Sequence, residues 1–138
     1  MRVHANPGYL VPFMFSYLAA LWNPHCSQER DAAVAVDLDI RAKRPHWERH
    51  LFVPGLAVYC PHSSTPEGDV VPVSDQTGIL LGVAFPRTEH PVSLKRCSGT
   101  HAASFLPTDE LIASRGKLAI EKLWGSYVLL VTTSIATR

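Results

Sequence analysis

The sequence predicts a mixed α+β fold built from antiparallel sheet and a few helices. The first observation is the order of the hydrophobic patterns, which runs strand, helix, several strands, helix, strand. Consecutive strands between helices are typical of antiparallel sheets with helices packed on them. The second is composition, because 138 residues that are 46% hydrophobic and 18% charged suffice for one compact core. We expect a single domain over residues 14–138 after a poorly structured extension at residues 1–13, with Met14 as an alternative first residue.

The charge balance argues against nucleic-acid binding. Thirteen Lys and Arg face twelve Asp and Glu, which leaves a net charge of +1. Binding to a phosphate backbone needs clustered cations, and the one basic cluster, Arg41 to Arg44, is interpreted as a solvated helix end. Three cysteines at wide spacing do not form a disulfide framework and fit a reducing compartment, so we expect a cytoplasmic location.

The most apolar stretch is Tyr9–Trp22, which is shorter than the roughly 20 residues of a membrane-spanning helix. Arg2 and His4 precede it, as basic residues precede the apolar part of a secretory signal, but no small-x-small cleavage site follows. We therefore expect no membrane association and predict a buried strand over Phe13–Trp22, ended by the turn signal at Pro24.

A helix is predicted from Ser27, which can cap its first turn, to about Arg44. The same window also alternates between apolar and polar residues from Val34 to Ile40, which is a strand pattern. Its length and its cap favour the helix, and Pro45 ends it. The apolar face of this helix comprises Ala32, Ala33, Val36 and Ile40.

The rest of the chain predicts short strands and two short helices. Proline inside a strand indicates an edge or a bulge, so the strand around Pro72 is expected at an edge. The predicted elements are strands at Leu51–Val53, Leu56–Cys60, Val70–Val73 and Ile79–Phe85, the last an inner strand, helices at Thr108–Ala113 with Thr108 as cap and at Lys117–Trp124, and, after a break at Gly125, a strand at Tyr127–Thr133.

Four segments of the chain follow a known order of strand and helix patterns: YLAALWNP (17–24), PGLAVYC (54–60), GILLGVAFPR (78–87) and GKLAIEKLWGSYVLLV (116–131). They resemble the class II glutamine amidotransferase domain of asparagine synthetase-like proteins, including relatives of the enzymes that close lasso peptides. The resemblance covers most of residues 14–135. It implies a truncated N-terminal-nucleophile hydrolase fold, in which two antiparallel sheets stack face to face with helices outside.

In that family a cysteine at the start of the mature chain attacks glutamine, with its free amine as base. Here Arg2 follows Met1 and Phe15 follows Met14, and the Asn-Gly-Glu motif that binds glutamine is missing. We therefore assign no catalytic, cofactor-binding or metal-binding residue. The expected role is that of a pseudoenzyme domain without glutaminase activity, acting structurally in asparagine or peptide-lactam synthesis. Its expected partner is an ATP-dependent synthetase-type domain or protein, and a homo-oligomer is also compatible.

Two alternatives stay open at this stage. One is a small interaction or ligand-binding domain unrelated to amidotransferases, for which the cluster from His46 to His50 offers a cleft-lining candidate. The other is a zinc-stabilised domain, because thiolates and imidazoles are suitable ligands for a tetrahedral site. The candidate zinc ligands are Cys60, His62, Cys97 and His101, while a cysteine nucleophile with a histidine base has no recognisable local motif in the sequence. A domain whose fold is normally packed against a partner should also expose an apolar patch when that partner is missing.

Overall fold

The computed structural model describes residues 1–5, 16–62, 70–73, 77–87 and 106–133. The chain divides into two compact units, unit 1 at Met1–Thr65 and unit 2 at Pro66–Arg138. Each unit contains one antiparallel sheet and at least one helix. The mixed α+β class is thereby confirmed, while the stacked-sheet fold and the single domain over residues 14–138 stay predictions.

The sheet of unit 1 has four strands in the order β1-β2-β4-β3, all antiparallel to their neighbours. Part of the expected extension is structured, because residues 2–5 pair with residues 18–21; residues 6–13 lie outside the described residues. The predicted strand at Phe13–Trp22 is shorter than expected, since Ser16 and Tyr17 precede it. The strands are β1 (Arg2–Ala5), β2 (Leu18–Leu21), β3 (Trp47–Val53) and β4 (Leu56–Pro61).

Helix α1 (Ser27–Lys43) is the long helix of unit 1 and confirms the helical interpretation of its window. The predicted cap is wrong by one residue, because Cys26 occupies the N-cap position and no side chain caps the helix there. A turn before the helix supplies other bonds, in which the Asn23 side chain accepts from the His25 N–H and the Glu29 carboxylate accepts from the Asn23 N–H. The buried residues of α1 are Ala33, Asp37 and Ile40.

The sheet of unit 2 has three antiparallel strands in the order β5-β6-β7. β5 (Val70–Pro72) is an edge strand of this sheet, as Pro72 predicts, and β6 (Gly78–Pro86) lies in the middle, as its apolar run predicts. The remaining elements are helix α2 (Thr108–Ala113), helix α3 (Lys117–Lys122) and strand β7 (Leu123–Val131). Thr108 is the first helical residue of α2 rather than its cap, because Pro107 takes the N-cap position.

The junction between α3 and β7 differs from the prediction. The helix ends at Lys122 rather than Trp124, and Gly125 lies within the strand instead of breaking the helix. Pairing explains the difference, because β6 finds a partner along its whole length only if β7 begins at Leu123. Arg87 fixes this junction by donating from Nε to the carbonyl oxygens of Ile120 and Leu123, at 3.1 and 3.0 Å.

Two glycines allow the backbones of β6 and β7 to come close. Gly82 has φ of +104° and Gly125 has φ of +133°, conformations that residues with a side chain rarely adopt. A Cβ at Gly82 would overlap the carbonyl oxygen of Ser126, and one at Gly125 would overlap that of Val83. Both positions therefore require glycine for two independent reasons.

The described helices do not offer a membrane span. Within the described residues, α1 to α3 lack the combination of length and apolar character that crossing a bilayer requires. The core of unit 1 instead joins the helix to the sheet, with Ile40 of α1 packed among Leu18, Ala57 and Tyr59. Unit 2 has its own cluster around Leu80, Leu111 and Leu123.

Candidate functional site

An apolar groove in unit 1 is the strongest candidate site. It has a volume of about 340 Å³ and lies between helix α1 and the β3–β4 turn. We call it the unit 1 groove, and its lining residues are Trp22, Pro24, Arg30, Val34, Phe52, Val53 and Pro54. Arg30 is the charged member of an otherwise apolar lining, which is the composition typical of small-ligand sites.

The β3–β4 turn positions one wall of the unit 1 groove. Pro54 and Gly55 connect the two strands, and Gly55 has φ of +91°. Proline followed by a glycine with positive φ is the sequence signature of a type II turn. The Trp22 N–H donates to the Gly55 carbonyl at 3.2 Å, and a Cβ at Gly55 would lie 3.3 Å from the Trp22 carbonyl oxygen. Glycine thus lets the turn approach the segment that carries Trp22 and Pro24.

A β-bulge in β3 determines which side chains reach the helix. Arg49 pairs with Tyr59 and Leu51 pairs with Val58, so His50 has no partner on β4. In a regular strand, residues 49 and 52 would point to opposite faces, because side chains alternate. The extra residue places Arg49 and Phe52 on the same face, where the Arg49 guanidinium lies 5.0 Å from the Phe52 ring centroid.

The aromatic pair Trp22 and Phe52 forms the apolar part of the unit 1 groove. Their ring centroids are 5.6 Å apart and their planes are inclined by 39°. Phe52 is 38% exposed and Val34 is 50% exposed, which leaves their apolar surface open to a ligand. Contiguous apolar surface of this kind marks binding sites more often than a lone exposed hydrophobic residue does.

A buried carboxylate, that of Asp37, binds Arg49, the arginine that lies against Phe52. Asp37 of α1 is 5% exposed and accepts a hydrogen bond from the Tyr59 hydroxyl at 2.8 Å and another from Arg49 Nη1 at 3.0 Å. Burial, together with the hydrogen bond to this carboxylate, raises the pKa of Tyr59. Asp37 therefore pairs with Arg49, and more distantly with Arg41 at 3.9 Å, and connects the helix to β3 and β4. The sequence analysis did not predict a role for Asp37, although its spacing from Ala33 and Ile40 places it on the buried face of the helix.

Arg30 has a different electrostatic setting from Arg49. Among the described residues, no carboxylate forms an ion pair with Arg30, and its helical neighbours at i±3 and i±4 include no acid. The nearby Glu29 carboxylate is engaged by the Asn23 N–H at 2.8 Å. Arg30 thus brings to the unit 1 groove a positive charge that forms no ion pair among the described residues.

The predicted cluster at residues 46–50 does not line the unit 1 groove. Trp47 packs against the core of unit 1, in agreement with a role in clamping the helix to the sheet, and the Arg44 guanidinium lies 5.3 Å from its ring centroid. Glu48 Oε2 lies 3.2 Å from His62 Nδ1 and 3.9 Å from His50 Nε2. His50 Nε2 is buried and forms no hydrogen bond within the part of the chain that the structure describes. The carboxylate of Glu48 and the imidazole rings of His50 and His62 therefore lie together beside β4.

The environment of Cys60 does not favour either role raised for the cysteines, that of a zinc ligand or that of a nucleophile. Its side chain is fully buried in β4, and burial raises the pKa of the thiol to about 12, with the Glu48 carboxylate adding to the shift. A thiol in this setting is a poor nucleophile and a poor metal ligand. Cys97 and His101 lie outside the described residues, and among the described ones no three potential ligands group around a metal position.

A second hollow, of about 380 Å³, lies in unit 2 between the start of α2 and the ends of β6 and β7. Three of the threonine hydroxyl groups in its lining bond within the protein. Thr77 Oγ1 donates to Thr108 Oγ1 at 3.4 Å, and Thr132 Oγ1 donates to the Thr77 carbonyl at 3.1 Å. The unit 1 groove is the better candidate, because it combines a charged side chain with an aromatic wall, whereas Asp109 and threonines make up much of the unit 2 lining.

Comparison of the chain with protein-family models, curated proteins and solved structures gives no significant match.

Proposed function

We propose that this chain is a non-catalytic binding domain that takes up an apolar ligand in the unit 1 groove. The observation that carries the proposal is the combination of an aromatic pair, half-buried Trp22 and exposed Phe52, with an arginine that forms no ion pair among the described residues. The Pro-Gly turn, the bulge and the Asp37–Arg49 ion pair all fix the walls of this groove. A groove with walls fixed in this way needs little ordering when a ligand enters, which favours affinity.

The relation to class II glutamine amidotransferases is part of the proposal. Its support is that the four resembling segments pair two by two. The segment at 17–24 supplies β2, which pairs with β4 from the segment at 54–60. The segment at 78–87 supplies β6, which pairs with β7 from the segment at 116–131. In an asparagine synthetase-like system such a domain would contribute binding rather than glutamine hydrolysis, next to an ATP-dependent partner.

Binding in the unit 1 groove is tested with Nile red, a neutral dye whose emission strengthens in apolar surroundings. The full chain should enhance its fluorescence, and Phe52→Ser should remove most of the enhancement. Leu38→Ser is the matched control, because Leu38 is a 59% exposed residue of unit 1 outside the groove. Equal loss in both variants, or no enhancement with the unchanged chain, would show that the groove does not bind apolar molecules.

The non-catalytic part of the proposal is tested by ammonia release from glutamine. The full chain should release none above the rate of variants in which Cys26, Cys60 or Cys97 is replaced by alanine. Release that depends on any of the three cysteines would show that the domain is a glutaminase.

A further inference from the structure

We infer that the ligand of the unit 1 groove is a small aromatic monocarboxylic acid, whose carboxylate is bound by Arg30 and whose ring packs on Trp22 and Phe52. This inference rests on the proposed function and names the ligand class. It follows from three properties of the groove: its size, the chemistry of its walls and its charge.

The size of the groove favours a small molecule over a protein partner. Ligand sites typically have volumes of about 300 to 1,000 Å³, and 340 Å³ lies at the lower end of that range. Stable protein interfaces bury about 800 Å² on each partner and involve some 20 to 30 residues a side. The groove has seven lining residues, which is the scale of one ring with a short side chain.

The walls favour an aromatic ring. Trp22 and Phe52 are tilted by 39° to one another, so their rings do not cover each other as parallel stacks do. Aromatic groups prefer offset or edge-to-face arrangements with centroids 4.5–7 Å apart, and a ligand ring can meet either wall in this way. The other apolar members of the lining carry no hydrogen-bonding side chain; they are Pro24, Val34, Val53 and Pro54.

The charge favours one carboxylate. Arg30 and Val34 lie one turn apart on α1, so the guanidinium and an apolar wall belong to the same face of the helix. A guanidinium matches a carboxylate with two parallel hydrogen bonds. A phosphate monoester carries about −1.5 to −2 charges at neutral pH, which one arginine does not balance. Arg49 does not contribute a second charge, because it is paired with Asp37 and is not among the residues that line the groove.

The experiment compares phenylacetate with phenylacetamide, which have the same shape and differ in charge. Both are titrated into the full chain, with the indole N–H of Trp22 followed by NMR. Phenylacetate should bind in about the millimolar range, as expected for so small a ligand. It should bind about tenfold more tightly than phenylacetamide, and Arg30→Gln should abolish this difference. Lys43→Gln is the matched control, because it removes one charge from α1 outside the groove, and it should preserve the difference.

The outcomes separate this inference from the proposed function. Equal binding of the acid and the amide, or an unchanged preference in Arg30→Gln, overturns the carboxylate assignment and leaves apolar binding intact. Binding of Nile red without binding of either phenyl compound likewise overturns the inference alone. If neither Nile red nor the two phenyl compounds bind, the proposed function fails as well.

Discussion

The substitution Asp37→Ala should destabilise unit 1, because it removes a buried acceptor. The Tyr59 hydroxyl is fully buried and would lose its partner, which costs about 1–3 kcal/mol. The Arg49 side chain is 40% exposed, so water replaces much of its ion pair and the loss there is about 0.5–1 kcal/mol. Alanine is the better helix former and returns roughly 0.5 kcal/mol. The expected net loss is about 1–3.5 kcal/mol.

Native-state hydrogen exchange of the β4 amides measures this loss in unit 1 by itself. Asp39→Ala is the matched control, because Asp39 lies on the same helix and its carboxylate, 57% exposed, pairs with Lys43 at the surface. That control should change stability by less than about 0.5 kcal/mol.

A double-mutant cycle isolates the hydrogen bond itself. Tyr59→Phe should cost about 1 kcal/mol, and the combined variant with Asp37→Ala should be less destabilised than the sum of the two changes. Removing both partners leaves no buried hydroxyl without an acceptor. Strictly additive losses, or an Asp37→Ala loss as small as that of Asp39→Ala, would refute the buried-acceptor reasoning.

Three further predictions concern stability. Gly82→Ala should cost at least about 2 kcal/mol, because it combines strain at positive φ with a backbone overlap. Gly116→Ala has open space around it and should cost only the strain of about 1 kcal/mol. Urea denaturation compares the two variants, and equal losses would contradict the overlap. Above pH 9, ionisation of Cys60 in the unfolded state should reduce stability by up to about 1.4 kcal/mol per pH unit until about pH 12, since its folded pKa is raised. Cys60→Ala should make the loss of stability between about pH 9 and about pH 12 smaller, leaving the loss that Tyr59 causes. A profile of stability against pH that is unchanged in this variant would contradict the prediction. Arg87→Met should cost about 1–2 kcal/mol by freeing the carbonyl groups at the end of α3, while an effect below 0.5 kcal/mol would show that water replaces these bonds.

Long elements with one dominant pattern were predictable from the sequence. α1 was predicted to within one residue at each end, because its apolar spacing extends over several turns. β6 was predicted as an inner strand, because a continuous apolar run fits a strand with neighbours on both sides. The edge position of β5 followed from Pro72, which cannot donate to a neighbouring strand.

Features that depend on distant pairing were not predictable. The bulge in β3 exists because β4 pairs with residues on both sides of His50, and no local pattern records this. The early start of β7 depends on the length of β6 in the same way. The unit 1 groove combines Trp22, Arg30 and Phe52, whose proximity depends on both the helix and the turn. The sequence therefore predicted single elements better than it predicted the site that they form.

The unpaired residue of the bulge has a consequence for length variation among relatives of this chain. A chain that lacks His50 would have an unbroken strand, in which residues 49 and 52 become two positions apart. They would then share a face by simple alternation. We therefore expect deletion of this one residue to preserve the unit 1 groove. A single-residue deletion elsewhere in the hairpin would move a lining side chain to the opposite face of the sheet.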